Sequence, residues 1–476
     1  MYKMELALRK SIKLIKMKTS IYIVFVGILF AFMSCDNYLD IEPKGVVSPT
    51  SVEQLGQLLI GKSSFASTPR AATMMGDEFF VTDDEYSNFY KIHKNAYLWE
   101  PLYDEGDTDL DWRDAYSKIY LCNYVLSLID GADLEEKSEI DRNNVKASAL
   151  SIRSFEYFNL VNVYGAHYNP QTATTDLAVP MLLKDDLKAS LPRSSVADIY
   201  NQILGDLLLA EDLFSSDLVP EMRANQSKTA VCGTLSRVYI YRAEWSKAAE
   251  YASKALNNYS VMYDYNDYTK ENADETRNLN RTDNIEMILF KSGTQSYCRE
   301  NEVFLMDDLV YLFEPNDLRF SFFTERSDNG KYIYSPANSA NIFPLTGIST
   351  PEMYLNRAEA NARLGNMTEA MDDLLHLRKM RFDKNAYADQ AAFEAAIALS
   401  ASSSEEAIGL VLEERQRELM LQGHRWYDMK RLAVDGRYNK TLTRTINGVL
   451  HSLEPGSSKY VVNISPDIIN QNPNLK

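Results

Sequence analysis

The side chains able to do chemistry are few and scattered. The histidines are His93, His167, His376, His424 and His451. None has a histidine partner four residues away, so the helical His-Glu-x-x-His arrangement that seats a zinc ion and its base is missing. No Gly-x-Ser-x-Gly elbow or Gly-x-Gly-x-x-Gly dinucleotide turn occurs either. With 67 Asp and Glu residues, carboxylate pairs exist at every spacing. A two-carboxylate hydrolase needs a defined separation across a cleft, which spacing alone does not give. Asp107, Asp109 and Asp111 alternate like the start of a calcium loop. Trp112, however, fills the position that demands Gly, and Lys118 the one that demands Glu. The three acids read instead as the N-terminus of a helix. Glu413, Glu414, Arg415, Arg417, Glu418, His424, Arg425, Asp428, Lys430 and Arg431 crowd one stretch. A structural ion-pair network is expected there, with Glu413 and Arg417 spaced to pair along a helix. No catalytic residue, metal site or cofactor is expected, and the chain does not read as an enzyme.

Cys35 carries chemistry of another kind. Lys3, Arg9, Lys10, Lys13, Lys16 and Lys18 precede an apolar run from Ile21 to Met33. That run is shorter than the roughly 20 residues that cross a bilayer and suits the h-region of a secretory signal. Ser34-Cys35 follows at once, as where a lipoprotein signal peptidase cuts after the thiol is acylated, although Phe32 and Met33 replace the usual Leu and small residue. Several acyl chains on one cysteine exceed the two-signal requirement for stable anchoring. Residues 1–34 are expected to be removed, and 35–50 to form a lipid-anchored tether. Losing six basic residues and one acid moves the net charge from −17 to −22. Such a surface disfavours nucleic acid, anionic lipid and anionic glycans. Cys122, Cys232 and Cys298 show no metal spacing, and the first two fall in helical patterns as small buried hydrophobes.

The aromatic residues say more. Trp112, Trp245 and Trp426 lie in helical patterns and read as core. Trp99 stands in an irregular stretch with Tyr86, Phe89, Tyr90, Tyr97 and Tyr103. A later stretch adds Tyr263, Tyr265, Tyr268, Tyr297, Phe304, Tyr311, Phe320, Phe322, Phe323, Tyr332 and Tyr334. Sugar rings stack their C–H faces on such rings while Asn, Asp and Arg read the hydroxyls, so loops rich in both are a ligand platform. Trp99, Tyr97, Tyr90, Tyr297 and Tyr332 are the candidate contacts. The competing reading makes each a loop anchor packed on helices.

Helices must position these loops. Thr50 and Glu53 form a capping box ahead of Leu55, Leu58 and Leu59. Residues 61–108 lose the helical period and read as long ligand-facing loops. A helix begins near Asp109 or Asp111, with Trp112, Ala115, Tyr116, Ile119, Asn123 and Leu126 on one face. Others run from about Val145 to Tyr164, stopping at Gly165, and from Ser194 or Ser195. Leu235-Ser236-Arg237-Val238-Tyr239 followed by Trp245, Ala248, Ala252, Ala255 and Leu256 is similar to a tetratricopeptide repeat. Residues 352–364 and then Gly365 to Leu377 give a second such pair, and a single helix is expected over about Glu405–Leu432. The fold class is mainly α, an α-α superhelix of tetratricopeptide-like pairs. An irregular insertion of loops and short strands spans 257–350, and a C-terminal helix-pair region spans 351–435. Residues 51–476 read as one body, and Tyr460 to Ile464 as a closing strand.

In order along the chain, these blocks resemble the SusD/RagB family of outer-membrane lipoproteins. The likeness starts at Cys35 with Tyr38-Leu39-Asp40 and Pro43. It runs through Trp112, Tyr116, Ile119 and Asn123, then Ile152-Arg153-Ser154-Phe155 with Tyr157-Phe158, then Pro192-Arg193-Ser194-Ser195-Val196. It ends in Glu352 to Ala360, Glu414-Arg415-x-Arg417-Glu418-Leu419 and Gly423-His424-Arg425-Trp426-Tyr427-Asp428. The resemblance implies four helix pairs under an irregular binding face, display on the cell exterior, and partnership with a SusC-like TonB-dependent porin. The implied ligand is a glycan, or in some members a peptide. The expected function is nutrient capture and handover to that porin; the rivals are a surface glycoside hydrolase and a tetratricopeptide adaptor for protein tails.

Overall fold

The computed structural model describes residues 48–63, 70–186, 188–215, 223–269, 284–291, 303–334 and 345–476. Cys35, Tyr297 and Cys298 lie outside them. Thr50–Lys476 forms one unit. Its first helix, α1 (Val52–Ser63), starts one residue later than Thr50 and Glu53 imply. Ser51 Oγ accepts from the Gln54 N–H, and Gln54 Oε1 accepts from the Thr50 N–H.

Residues 61–108 are not simply loop. They hold α2 (Arg70–Met75), β1 (Phe79–Phe80), α3 (Asp83–Asn88) and α4 (Lys91–Tyr97). Helices of six or seven residues make less than two turns, too few to show a 3.6-residue period. Asp109 then caps α5 (Leu110–Leu128), its carboxylate accepting from the Trp112 N–H. The same carboxylate takes the phenols of Tyr103 and Tyr164, so the acidic run is a helix cap as expected. α6 (Glu139–Tyr164) begins six residues before Val145, from a Ser138–Asp141 capping box. Its first two turns are polar and lack the apolar stripe that marks the rest. α7 (Val196–Leu213), α8 (Lys228–Tyr241) and α9 (Trp245–Asn258) follow, with Ser195 and Ser227 capping the first two.

The insertion contains β2 (Met287–Leu289), β3 (Phe304–Leu305), α10 (Asp307–Val310), α11 (Leu318–Phe323), β4 (Thr324–Arg326), β5 (Tyr332–Tyr334) and β6 (Ile348–Ser349). The chain then returns to helices: α12 (Thr350–Leu364), α13 (Met367–Lys379), α14 (Gln390–Ile397), α15 (Ser404–Glu418) and α16 (Arg425–Val434). The single helix expected over Glu405–Leu432 is two, because Leu421 and Gly423 take φ of 56° and 84° between α15 and α16. The hairpin β7 (Leu442–Ile446) and β8 (Val449–Leu453) turns through Asn447 and Gly448, both at positive φ. α17 (Pro466–Gln471) closes the chain. Tyr460 to Ile464 forms no strand; Val462 makes one backbone bond to Val163.

Each of α6 to α9 packs on the helix before it, and α9 packs on α12 across the whole insertion. Ala248, Ala252 and Ala255 on α9 and Ala358 and Ala362 on α12 are fully buried, which lets helices approach closely. α12 then meets α13 and α15. The chain is therefore mainly α, a stacked helical array interrupted by its insertion. Gly347 keeps β6 against β2, since a Cβ there would stand 1.9 Å from the Leu289 carbonyl oxygen.

Candidate ligand-binding face

The two stretches singled out for their aromatic residues meet in one antiparallel sheet. Its order is β1-β3-β5-β4, with Phe79 opposite Leu305, Phe80 opposite Phe304 and Phe304 opposite Ile333. Phe80 and Phe304 stack at 5.4 Å between centroids. The short helices α2 to α4 and the insertion are thereby one structure.

Within it, most of the rings are anchors. The Trp99 Nε1–H donates to the Met75 carbonyl at 2.9 Å, and the Tyr97 phenol accepts from the Val81 N–H at 3.1 Å. Arg444 on β7 lies over both rings, its guanidinium 3.9 Å from the Tyr97 centroid and 4.5 Å from that of Trp99. The same guanidinium donates to the carbonyls of Met74, Gly76 and Tyr97. Trp99 is 2% exposed and Tyr97 1%. Neither presents a face to a ligand, so the expectation that they stack on one is corrected: they pin residues 74–99 to the C-terminal hairpin. Tyr263, Tyr265, Phe304, Phe322 and Tyr334 are buried as well.

Two described rings in these stretches, Tyr90 and Tyr311, are exposed, and Tyr332 is one of several half-buried rings with Tyr86, Tyr268, Phe313, Phe320 and Phe323. Tyr90 is 81% exposed at the start of α4, its ring edge-on to His93 at 5.9 Å. Tyr311, just after α10, is also 81% exposed. Tyr332 on β5 is half-buried, edge-on to Phe320 at 4.7 Å, and Phe320 meets Phe313 at 5.2 Å. Tyr311, Phe313 and Phe320 were not singled out from the sequence as contacts. Nothing local separates Tyr311 from the buried tyrosines around it.

Charge holds this face in place. α15 supplies Glu414 and Glu418, both buried. Glu414 pairs with Arg319 on α11 at 2.7 Å, Arg378 at 3.0 Å and Arg417 at 2.6 Å. Glu418 pairs with Arg319 at 2.9 Å and Arg381 at 2.8 Å. Arg381 also reaches Glu286 at 2.7 Å and donates to the Tyr263 carbonyl at 2.8 Å. Burial alone would raise the Glu414 carboxyl; Arg319, Arg417 and Arg378 outweigh it and hold it well below the usual range. A second network runs Arg415–Asp428–Arg431–Glu359–Arg363 through α15, α16 and α12. The charge-dense stretch is thus a buried ion-pair network, although Arg417 pairs with Glu414 rather than Glu413. Glu78, next to β1, is the exception. Burial pushes its carboxyl up to about 8, against a hydrogen bond from the Leu421 N–H and the charge of Arg425. Its neighbour Asp77 pairs with Arg425 at 2.6 Å, and that charge outweighs burial to lower its pKa.

The comparisons with known proteins agree with this architecture. A SusD-like family model described as starch-binding and associating with the outer membrane matches residues 37–240. A second model, described as the SusD family, matches residues 242–475. SusD-like protein P25 of Formosa agariphila is 23% identical over 282 residues, covering 54% of this chain and 51% of that protein. The match thus spans about half of that relative's length; SusD-like protein P38 of the same organism is matched over 90% of its length, at 22% identity and 87% of this chain. Among solved structures, a putative sugar binding protein from Bacteroides vulgatus aligns with a TM-score of 0.69 at 21% identity, covering 90% of this chain and 99% of that one. A laminarin binding SusD-like protein aligns at 0.62 and 15% identity, covering 88% and 97%. These likenesses fix the fold. Two models of one family account in succession for residues 37–240 and 242–475, and the chain belongs to the SusD family.

Proposed function

We propose that the chain is a non-catalytic nutrient-capture lipoprotein, held at the outer membrane by acylated Cys35. It binds an oligo- or polysaccharide on the face shared by α3, α4 and the insertion, and passes it to a SusC-like TonB-dependent porin. The observation that carries this is that Tyr90 and Tyr311 are left exposed and Tyr332 half-exposed, while Tyr97, Trp99 and Phe304 in the same stretches are buried above an ion-paired base. Rigid rings offered to solvent cost little ordering on binding, and a sugar's C–H face covers them. Tyr297 belongs to the same proposal on sequence grounds. The starch-binding description of the family model and the laminarin-binding neighbour support a glycan as the ligand class. Calorimetry of the soluble chain against a panel of neutral oligosaccharides and peptides tests it. Tyr90→Ala, Tyr311→Ala and Tyr332→Ala should weaken glycan binding without changing the melting temperature. Binding of peptides alone, or turnover of a glycan, would refute the reading. Co-purification of a TonB-dependent porin with the acylated protein tests the handover.

A further inference from the structure

A cavity of about 780 Å³ lies elsewhere on the protein, walled by α5, residues 180–186 and 188–191, and α17. It shares no residue with β1, α3, α4 or the insertion. Its volume falls in the range of about 300–1,000 Å³ typical of ligand pockets. Along one wall Tyr116 and Tyr120, both half-exposed, stand one four-residue step apart on α5, a rise of about 6 Å, with the buried Trp112 one step before them as their support. Such a step matches successive rings of an extended glycan.

The rungs are held rigidly. Trp112 and Tyr116 lie 4.8 Å apart with a 35° tilt, and Tyr164 packs edge-on against Trp112 at 5.1 Å. The Tyr116 phenol donates to the Pro180 carbonyl at 2.7 Å. Tyr120 is half-exposed. The opposite wall brings Asp467, Gln471 and Asn472 from the end of the chain. Asp467 accepts from the Gly106 N–H at 3.1 Å, and the Asn472 amide donates to the Leu191 carbonyl at 2.9 Å. Aromatic rungs facing fixed amide and carboxylate groups are what a polyhydroxylated ring requires.

Charge and backbone narrow the ligand. Asp107 is paired with Lys91 at 2.6 Å, Asp109 is a buried helix cap and Arg113 pairs with Asp114 at 2.9 Å, so among its lining residues the groove gathers no cluster of cations to hold a sulfated or uronic chain. Two of the walls are the helices α5 and α17, which offer no open strand edge for an extended peptide to pair with.

We propose that this groove is a second binding site for a neutral oligosaccharide, laid along α5. The proposal rests on the reading of the chain as a glycan-capture protein. Two sites on one chain would retain a long polysaccharide by avidity while either end exchanges.

The test titrates neutral hexaoses (α-glucan, β-glucan, mannan and xylan), a sulfated hexaose and an extended hexapeptide into the soluble chain, by calorimetry and by tryptophan fluorescence. At least one neutral hexaose should fill two sites. Tyr120→Ala should weaken one of them by about 5- to 150-fold, the range for losing one aromatic stack. Gln471→Ala, at an exposed position, should weaken the same site without touching the fold. Trp112→Phe should remove the fluorescence response of that site, and Tyr90→Ala should weaken only the other. If one site is seen and neither Tyr120→Ala nor Gln471→Ala alters it, the groove proposal fails and the capture reading stands. If the sulfated sugar or the peptide fills the groove in preference, the proposal also fails. If no hexaose binds anywhere, both fail together.

Discussion

Trp99→Ala separates an anchor from a binding platform. Trp99 sits at φ 55°, a left-handed conformation that costs any residue with a Cβ. Alanine keeps that Cβ, so the change in stability reports the ring alone. Emptying a buried Trp costs roughly 3–5 kcal/mol. The loss includes the cation–π contact to Arg444 and leaves the Met75 carbonyl without its indole partner. For a unit of this size, unfolding entropy makes each kcal/mol worth only about 1 °C, so a fall of roughly 3–6 °C is expected. Denaturant midpoints are the more sensitive readout. Trp99→Phe keeps a ring face for Arg444 but drops the N–H and part of the buried ring, so roughly 1–3 kcal/mol should be lost, less than for alanine. Glycan affinity, measured on the folded fraction of each variant, should stay near that of the parent. A Trp99→Ala protein as stable as its parent, with affinity lost, would refute the burial argument and make Trp99 a stacking platform after all.

Three further outcomes follow from the structure. Glu78 is protonated in the fold, with a pKa raised from 4.5 to about 8; its contribution is complete below about pH 4.5, falls by about 1.4 kcal/mol per pH unit and is gone above about pH 8. Glu78→Gln keeps an acceptor for the Leu421 N–H and should flatten that slope, leaving the variant more stable than the parent at pH 8; denaturant titrations at pH 5 to 8 with parallel slopes would contradict this. Glu414→Ala removes the carboxylate shared by Arg319, Arg378 and Arg417; Arg319 keeps Asp317 and Glu418 and Arg378 keeps Glu314, but the buried cluster is left one negative charge short, which should cost roughly 3 kcal/mol by denaturant unfolding, whereas a loss below about 1 kcal/mol would show that the network is dispensable. Cys35→Ala should abolish labelling by a fatty acid in cells, and label retained by the variant would remove the lipid anchor from the account.

The helical array could be read from the sequence because its signals are local. Asp109, Ser195 and Ser227 cap helices where they stand, and Gly365 ends α12 at φ 87°. The misreadings have physical causes. The period carries through Leu421, a non-glycine residue in a left-handed turn, so α15 and α16 look continuous. The hairpin β7–β8 had a signal that went unused: Asn447-Gly448 between alternating residues, with Arg444 on the buried side of that alternation. Arg444 decides the fate of Trp99 from the far end of the chain, and no local pattern reports a partner so distant. The same holds for the sheet, because β1 and β3 are two residues each and are strands only through pairing with each other and, for β3, with β5.

The buried charges explain how such a face could be both rigid and changeable. An ion pair in the interior gains little over a well-packed apolar replacement, so stability alone does not account for Glu414 and Glu418. Geometry does. The two carboxylates grip Arg319, and Asp317 grips it from the other side at 2.7 Å. The guanidinium has one orientation that satisfies all three, whereas a leucine would have several packings of similar energy. Phe320 is the next residue on α11, and Tyr332 rests edge-on against it. Fixing Arg319 therefore fixes where the half-exposed rings stand. Tyr90 and Tyr311 contribute few buried contacts, so on the proposed reading substitutions there would change what is bound while the ion pairs beneath keep the platform in place. Specificity would then rest on the exposed rings and stability on the buried ion pairs, which are different residues.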